Sequence, residues 1–360
     1  MYFYTRITLS NTKMQPIKKS FDVQKYALVD LHLHLDGSLS IDDAIYMAAV
    51  ENISLPAERS EIKKLLVCPE HCESLNEYLK CFKLPESIMQ SRETMAYSAK
   101  SLVKRLDEQG LIYAEIRFAP QQHILKGLTQ DEVTAACIEG LKAGMAESKN
   151  GIKAQLILSC MRGEGNDNLN KETVDVAKQY LGKGVCAIDL AGAEALYPTS
   201  KYRELFAYAK SQGLPFTIHA GEADGVESVK LAIEYGTSRI GHGVRSYNDI
   251  ETKNLLKKND ICLGLCPTSN LQTKALAGVT TLSQYPLQDF LNDGVAVCIN
   301  TDSMSVSDTT VARELQKLYD AGIMTENQAR WMVLTAIRHA FLPDAEKKVL
   351  LSKAEQLLAS

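Results

Sequence analysis

The chain has 360 residues, 45% hydrophobic and 23% charged, and its 40 basic and 44 acidic side chains give a formal net charge of −4. This composition excludes a disordered, collagenous or coiled-coil protein and offers no general pull toward nucleic acid or anionic lipid. Mean hydropathy is −0.14, and no apolar run reaches the ~18 residues a membrane span needs.

The first 20 residues, MYFYTRITLSNTKMQPIKKS, turn polar within ten positions and lack a continuous apolar stretch. No secretory signal is expected, and the cytoplasm is the default compartment. Residues 1–26 read as an N-terminal arm. Its first 13 positions are either an addition to the fold or the product of an early start codon, with Met14 as the rival start. Lys18 and Lys19 are too few for a basic patch.

From Ala27 onward, short β-branched runs alternate with amphipathic stretches. Strands are expected at Ala27–His34, Ile112–Phe118, Ala154–Cys160, Val185–Leu190, Phe216–His219, Arg239–His242, Ile261–Leu265 and Val295–Thr301. Several are almost continuously apolar, as parallel strands covered on both faces are. Ser91 opens a helix that ends at Gly110, and Thr129 with Glu132 forms a capping box. Gly213, Gly236 and Gly294 mark further helix ends. Three closing helices are expected near Thr309–Asp320, with Asp308 as N-cap, Glu326–Phe341 and Glu346–Leu358.

Eight strands with helices between them, and no Pro-, Gly- or Ser-rich linker, predict an α/β fold: one (β/α)8 TIM barrel over residues 1–360. A doubly wound sheet would want a glycine-rich phosphate loop after the first strand, and none is there. The connection from about residue 40 to 110 exceeds one crossover and is expected to sit over the barrel mouth as a lid.

Nine cysteines, an odd number partly inside apolar runs, read as buried free thiols of a reducing compartment. Cys68-Pro-Glu-His71-Cys72 lacks a second ligand pair at zinc spacing and reads as structural. The H-x-E and P-C-x-x-C signature of nucleic-acid deaminases is absent. Lys347 and Lys348 read as a solvated helix face.

Of seven histidines, His32, His34, His219 and His242 fall at strand C-termini, the face on which such barrels carry chemistry. His32 and His34 are two apart on one strand, so both imidazoles project from the same face. With His219 ending the fifth strand and Asp302 following the eighth, three imidazoles and a carboxylate can converge, a set that favours Zn²⁺. Glu222 lies three residues past His219, where a raised pKa would make it a general acid. His242 sits between Gly241 and Gly243, which allow close approach of substrate or water.

The segments HLHLDGSL (32–39), AEIRFAP (114–120), DLAGAE (189–194), HAGE (219–222), RIGHGVR (239–245), CPTSN (266–270) and NTDS (300–303) resemble the adenosine deaminase family, in order and across nearly the whole fold. The resemblance implies one zinc held by His32, His34, His219 and Asp302. It also implies Glu222 as proton donor to the purine ring, and His242 as the group that orients or deprotonates the water. Asp36 and His34 become contacts to the nucleoside, and Gly192 a backbone contact to the base. The implied activity is hydrolytic deamination of adenosine or 2′-deoxyadenosine to inosine or 2′-deoxyinosine with release of ammonia. The partner is then a small purine nucleoside, with neither nucleic acid nor membrane, and the oligomeric state is left open. Two alternatives stand: a sibling enzyme acting on adenine, a modified adenosine or a nucleotide, and a non-catalytic nucleoside-binding barrel. The second expects loss of Glu222 or a ligand.

One position departs from the family pattern. Many members carry Asp directly after the metal-binding Asp, as a contact to the base; this chain has Ser303. Either its hydroxyl donates to a ring nitrogen, or Ser303 only turns the chain toward Asp308.

Overall fold

The computed structural model describes residues 21–23 and 26–359. Most of the expected arm, with Met14, Lys18 and Lys19, lies outside the described residues. At its end Phe21, Val23 and Tyr26 are buried, and Phe21 stacks on Tyr319 at 4.7 Å between ring centroids.

The eight expected strands all form, differing from expectation by a residue or two at most ends: β1 (Leu28–His34), β2 (Leu111–Phe118), β3 (Lys153–Met161), β4 (Val185–Ala191), β5 (Thr217–Ala220), β6 (Arg239–His242), β7 (Cys262–Leu265) and β8 (Val297–Ile299). They pair in parallel and in chain order as two four-stranded sheets. Single bridges, Leu33 with Asp302 and Ile188 with Phe216, link the two sheets at two seams, an arrangement consistent with a TIM barrel. β2 and β4 are buried at every position, which explains their mostly apolar sequences. Their charged exceptions are paired across strands: Arg117 with Asp189 at 3.0 Å, and Glu115 with Arg239.

Between β1 and β2 run α1 (Ile41–Val50), α2 (Arg59–Leu66), α3 (Leu75–Tyr78), α4 (Lys83–Ile88) and α5 (Arg92–Glu108). Helix α5 opens on the Ser91–Thr94 capping box, and Gly110 beyond its end takes φ 82°. Around the rest of the barrel follow α6 (Gln130–Ala146), α7 (Asp167–Tyr180), α8 (Arg203–Ser211), α9 (Val226–Tyr235), α10 (Ile250–Lys258), α11 (Pro267–Gln272) and α12 (Leu287–Asn292). The chain closes with α13 (Val311–Asp320), α14 (Glu326–His339) and α15 (Asp344–Ala359). The Thr129–Glu132 box opens α6 as expected. Asp308 does not cap α13. Thr310 does, in extended backbone with its hydroxyl accepting from Arg313 N at 3.2 Å, while Asp308 sits two residues earlier at φ 46° and pairs with Lys63.

All nine cysteines are free and buried. Among the described residues no helix is long and apolar enough to cross a membrane.

Candidate active site

The C-terminal strand ends carry the polar cluster. His32 and His34 leave the end of β1 on one face, and the chain after β8 binds back to them: His34 N donates to Asp302 O at 2.6 Å and Asp302 N to His32 O at 2.8 Å. Asp302 takes φ 62°, so a strained backbone presents its carboxylate to both rings. Asp302 Oδ1 lies 3.3 Å from His32 Nε2 and 3.4 Å from His34 Nε2, and His34 Nε2 lies 3.3 Å from His219 Nε2. Ligands at 2.0–2.1 Å in a tetrahedron stand about 3.3 Å apart, so these spacings fit one zinc-sized ion.

Further observations agree. The ligand-capable atoms of His32, His219, His242 and Asp302 all lie within 4.8 Å of one another. Both His32 ring nitrogens and His242 Nε2 are buried with no hydrogen-bond partner among the described residues. Burial pushes the His34 imidazole down to about 3 and the His242 imidazole to about 4, which favours the neutral rings that a cation beside them requires. His219 Nδ1 rests 2.9 Å from Asp189 Oδ2, which leaves Nε2 for the cluster. Burial opposes charge on Asp189, but His219 and Arg117 hold its carboxyl below the usual carboxylate range. Ser269 Oγ donates to Asp302 Oδ2 at 2.5 Å.

Glu222 follows β5 in the turn to α9 and is buried. Burial first, then the Asp302 and Glu194 carboxylates, push its pKa well above the usual carboxylate range. Thr273 Oγ1 donates to Glu222 Oε1 at 3.1 Å, and Glu222 Oε2 faces His242 Nε2 at 3.5 Å. The other face of His242 meets the Asn270 amide at 3.0 Å from Nδ1, and Tyr285 donates to that amide's oxygen at 2.9 Å.

These groups form the floor of a cavity of about 260 Å³. His34, Asp36, Gly192, His219, Glu222, His242 and Asp302 all line it, with His32 buried beneath. Gly192 takes φ 108°, where a side chain would be strained, so bare backbone meets the cavity there. Ser303 is not among the lining residues. It is fully buried, its hydroxyl has no partner among the described residues, and it fills the space behind Gly37, where a Cβ would come within 2.3 Å of Ser303 Oγ.

The lid contributes Leu75, Tyr78, Leu79, Phe82 and Glu86. Helix α4 packs on the turn that carries Asp36. The Asp36 carboxyl is pushed up to about 7, by burial and then by Glu86. Gln122 Nε2 donates to Glu86 Oε1 at 2.9 Å. Sequence reasoning passed over Glu86 and Tyr78, which no motif marks. It also passed over Asp189, Glu194, Ser269 and Asn270, although these stand inside the quoted motifs.

A family model described as Adenosine deaminase matches residues 27–357. An adenosine deaminase of Haemophilus ducreyi is 45% identical over 339 residues, 92% of this chain and 96% of that one. An adenine deaminase from Arthrobacter aurescens superposes with a TM-score of 0.81 at 25% identity, covering 93% of this chain and 100% of that one. An Arabidopsis N6-mAMP deaminase superposes with a TM-score of 0.80 at 23% identity, covering 93% and 99%. The fold is thus shared by proteins named for three different purines.

Proposed function

Since the chain belongs to the adenosine deaminase family, we propose that it hydrolyses adenosine and 2′-deoxyadenosine to inosine and 2′-deoxyinosine, releasing ammonia. One observation carries this reading: a metal-sized cluster of imidazoles with Asp302, and a buried carboxyl whose pKa is raised, share one cavity floor.

His32, His34, His219 and Asp302 would hold one Zn²⁺. Bound there, the ion supplies a water acidified toward ~7 as the nucleophile for C6 of the purine. Glu222, kept protonated by its surroundings, donates to the ring nitrogen beside C6, so the ring accepts the electron pair of the new C–O bond. Thr273 occupies Oε1 of that carboxyl, which leaves Oε2 to carry the proton. His242 is held by Asn270 beside the same oxygen and orients the attacking water. The proton that the water gave up is delivered to the departing nitrogen as the C6–N6 bond breaks, and the new C6 hydroxyl returns its proton to Glu222 as the carbonyl forms, so inosine and ammonia leave with Glu222 protonated again. Gly192 offers backbone to the base.

The sugar end of the cavity favours a nucleoside over a nucleotide. Asp36 and Glu86 present two carboxyl groups suited to ribose hydroxyls, and the charge either one carries opposes a phosphate. Among the described lining residues Arg162 is the one Lys or Arg, and its guanidinium is engaged by Tyr197 O, Thr199 Oγ1 and His219 O. We read residues 1–360 as one deaminase barrel, with about 40–110 bearing its lid. Nine free buried thiols suit the cytoplasm.

The test is loss of adenosine absorbance in the ultraviolet with purified protein, run beside adenine and AMP. Adenosine should be consumed fastest, chelation should abolish turnover, and zinc should restore it. Preference for AMP or adenine would overturn the substrate assignment; turnover of none would overturn the activity.

A further inference from the structure

Glu194 is a buried carboxylate, 1% exposed, that does not line the cavity. Five donors converge on it. Gly221 N and Ser228 Oγ each reach Oε1 at 2.7 Å, while Glu222 N at 3.0 Å, Ala223 N at 2.7 Å and Asp224 N at 3.0 Å reach Oε2. Four consecutive backbone N–H groups, 221 to 224, therefore point at one side chain. Such a run of converging amides is a nest, which ordinarily captures an anion; here the chain supplies its own. Gly221 makes the convergence possible: it takes φ 70°, and a Cβ there would meet Val229 Cγ2 at 2.5 Å.

The clamp is itself held from behind. Ser228 Oγ is 2.6 Å from Thr199 Oγ1, and Thr199 accepts from Arg162 Nη2 at 3.0 Å. The same Nη2 donates to His219 O at 2.6 Å. One buried network thus grips the main chain at His219 and every amide from Gly221 to Asp224. Glu222 is the residue of that turn whose side chain enters the cavity beside the histidine cluster.

We propose that Glu194 is the positioning residue of the proton donor: its carboxylate fixes the 221–224 turn and so aims Glu222 at the purine ring, without touching substrate. The proposal rests on the reading of Glu222 as proton donor. A rigid turn matters because a general acid must lie within hydrogen-bond reach of its acceptor, and misplacement by ~1 Å costs on the order of 10²-fold in rate. An amide cannot replace this carboxylate. Whichever way the side-chain amide of an E194Q variant turned, its NH₂ would face backbone N–H groups, donor against donor.

The experiment is a double-mutant cycle on the zinc-loaded full chain, with adenosine as substrate and with E194Q, E222Q and both together. E194Q should lower kcat by about 10- to 100-fold with KM within about threefold and zinc content unchanged. In the E222Q background the same change should cost less than about threefold, because no donor remains to be aimed. A merely structural role predicts equal losses in both backgrounds and would overturn the proposal, as would an unchanged kcat for E194Q. If E194Q does not accumulate as folded protein, E194D, which keeps the charge on a shorter arm, is read in the same cycle. Full turnover of E222Q alone removes the reading of Glu222 and the proposal with it. A large loss in E222Q with additive loss from E194Q removes the proposal alone.

Discussion

The floor of the cavity is built on strand ends and the lid on short helices, and the two hold their polar groups differently. On the floor, His219 rests on Asp189, Asp189 on Arg117, Asp302 on Ser269 and the Glu222 turn on Glu194, each within 3.0 Å. In the lid, Leu75, Leu79 and Phe82 meet the cavity with apolar surface, and among the described residues Glu86 has one side-chain hydrogen bond, from Gln122. Tyr78 joins the regions, its hydroxyl 2.7 Å from Ser307 Oγ. Groups that do chemistry are preorganised on rigid elements; groups that decide which molecule stays sit where adjustment is cheap. The contrast predicts large effects on rate and metal from the floor, and smaller effects on selectivity from the lid.

The largest effect is expected from Asp302→Ala. It removes the carboxylate proposed as a ligand, the one that meets His32 and His34, while the backbone bonds of the β1–β8 seam remain, so metal analysis should find zinc lost and turnover at background. Glu222→Gln should keep fold and zinc yet lose at least ~10² in kcat. The wild-type rate should fall on the alkaline side as the raised Glu222 carboxyl gives up its proton. Asp189→Asn probes the layer beneath: second-layer partners of metal-binding histidines are worth about 10- to 100-fold in metal affinity, measurable by competition with a chelator. If Asp189→Asn binds zinc as the wild type does, the floor is less interdependent than its geometry implies.

How far this division was legible in the sequence depends on the kind of residue. The strands carry their own signal, since β2 and β4 are buried on both faces and are apolar except where a charge is paired across strands. The histidines could be found because they end those strands. Asp189 and Glu194 stood in a quoted motif, but the groups they hold, Arg117, His219 and the 221–224 turn, come from other strands, and no local period announces those meetings. Glu86 left no trace: a charged residue in a short helix is ordinarily solvated, and only the fold of the lid onto the Asp36 turn brings it to the cavity. Asp308 failed as a cap for a local reason, since Thr310 has the extended backbone that an N-cap needs and Asp308 does not.

The lid yields the next effect. Glu86→Lys exchanges repulsion for attraction at the sugar end, so the ratio of kcat/KM for AMP to that for adenosine should rise about tenfold, equivalent to ~1.4 kcal/mol. Zinc content and the alkaline fall in rate should not move. A loss of kcat on adenosine beyond ~10²-fold would place Glu86 with the floor rather than with selectivity.

The smallest effect should come from Ser303, although it adjoins Asp302 in the chain. The family pattern has a base contact here, and a hydroxyl donating to a ring nitrogen would make Ser303→Ala cost roughly three- to tenfold in kcat/KM. The geometry gives a different expectation. Ser303 Oγ lies behind Gly37, outside the cavity lining, and has no hydrogen-bond partner among the described residues. A buried hydroxyl without a partner carries a desolvation cost of about 1–3 kcal/mol, so Ser303→Ala should leave thermal stability unchanged or raise it. Its kcat/KM on adenosine should change less than about twofold, and an analogue with carbon in place of the ring nitrogen should respond equally. A three- to tenfold loss confined to adenosine would show the hydroxyl reaching the base, and the boundary between floor and supporting shell would then move outward to include it. Equal, small responses leave base recognition to other groups that line the cavity, the Gly192 backbone and the Glu222 carboxyl among them.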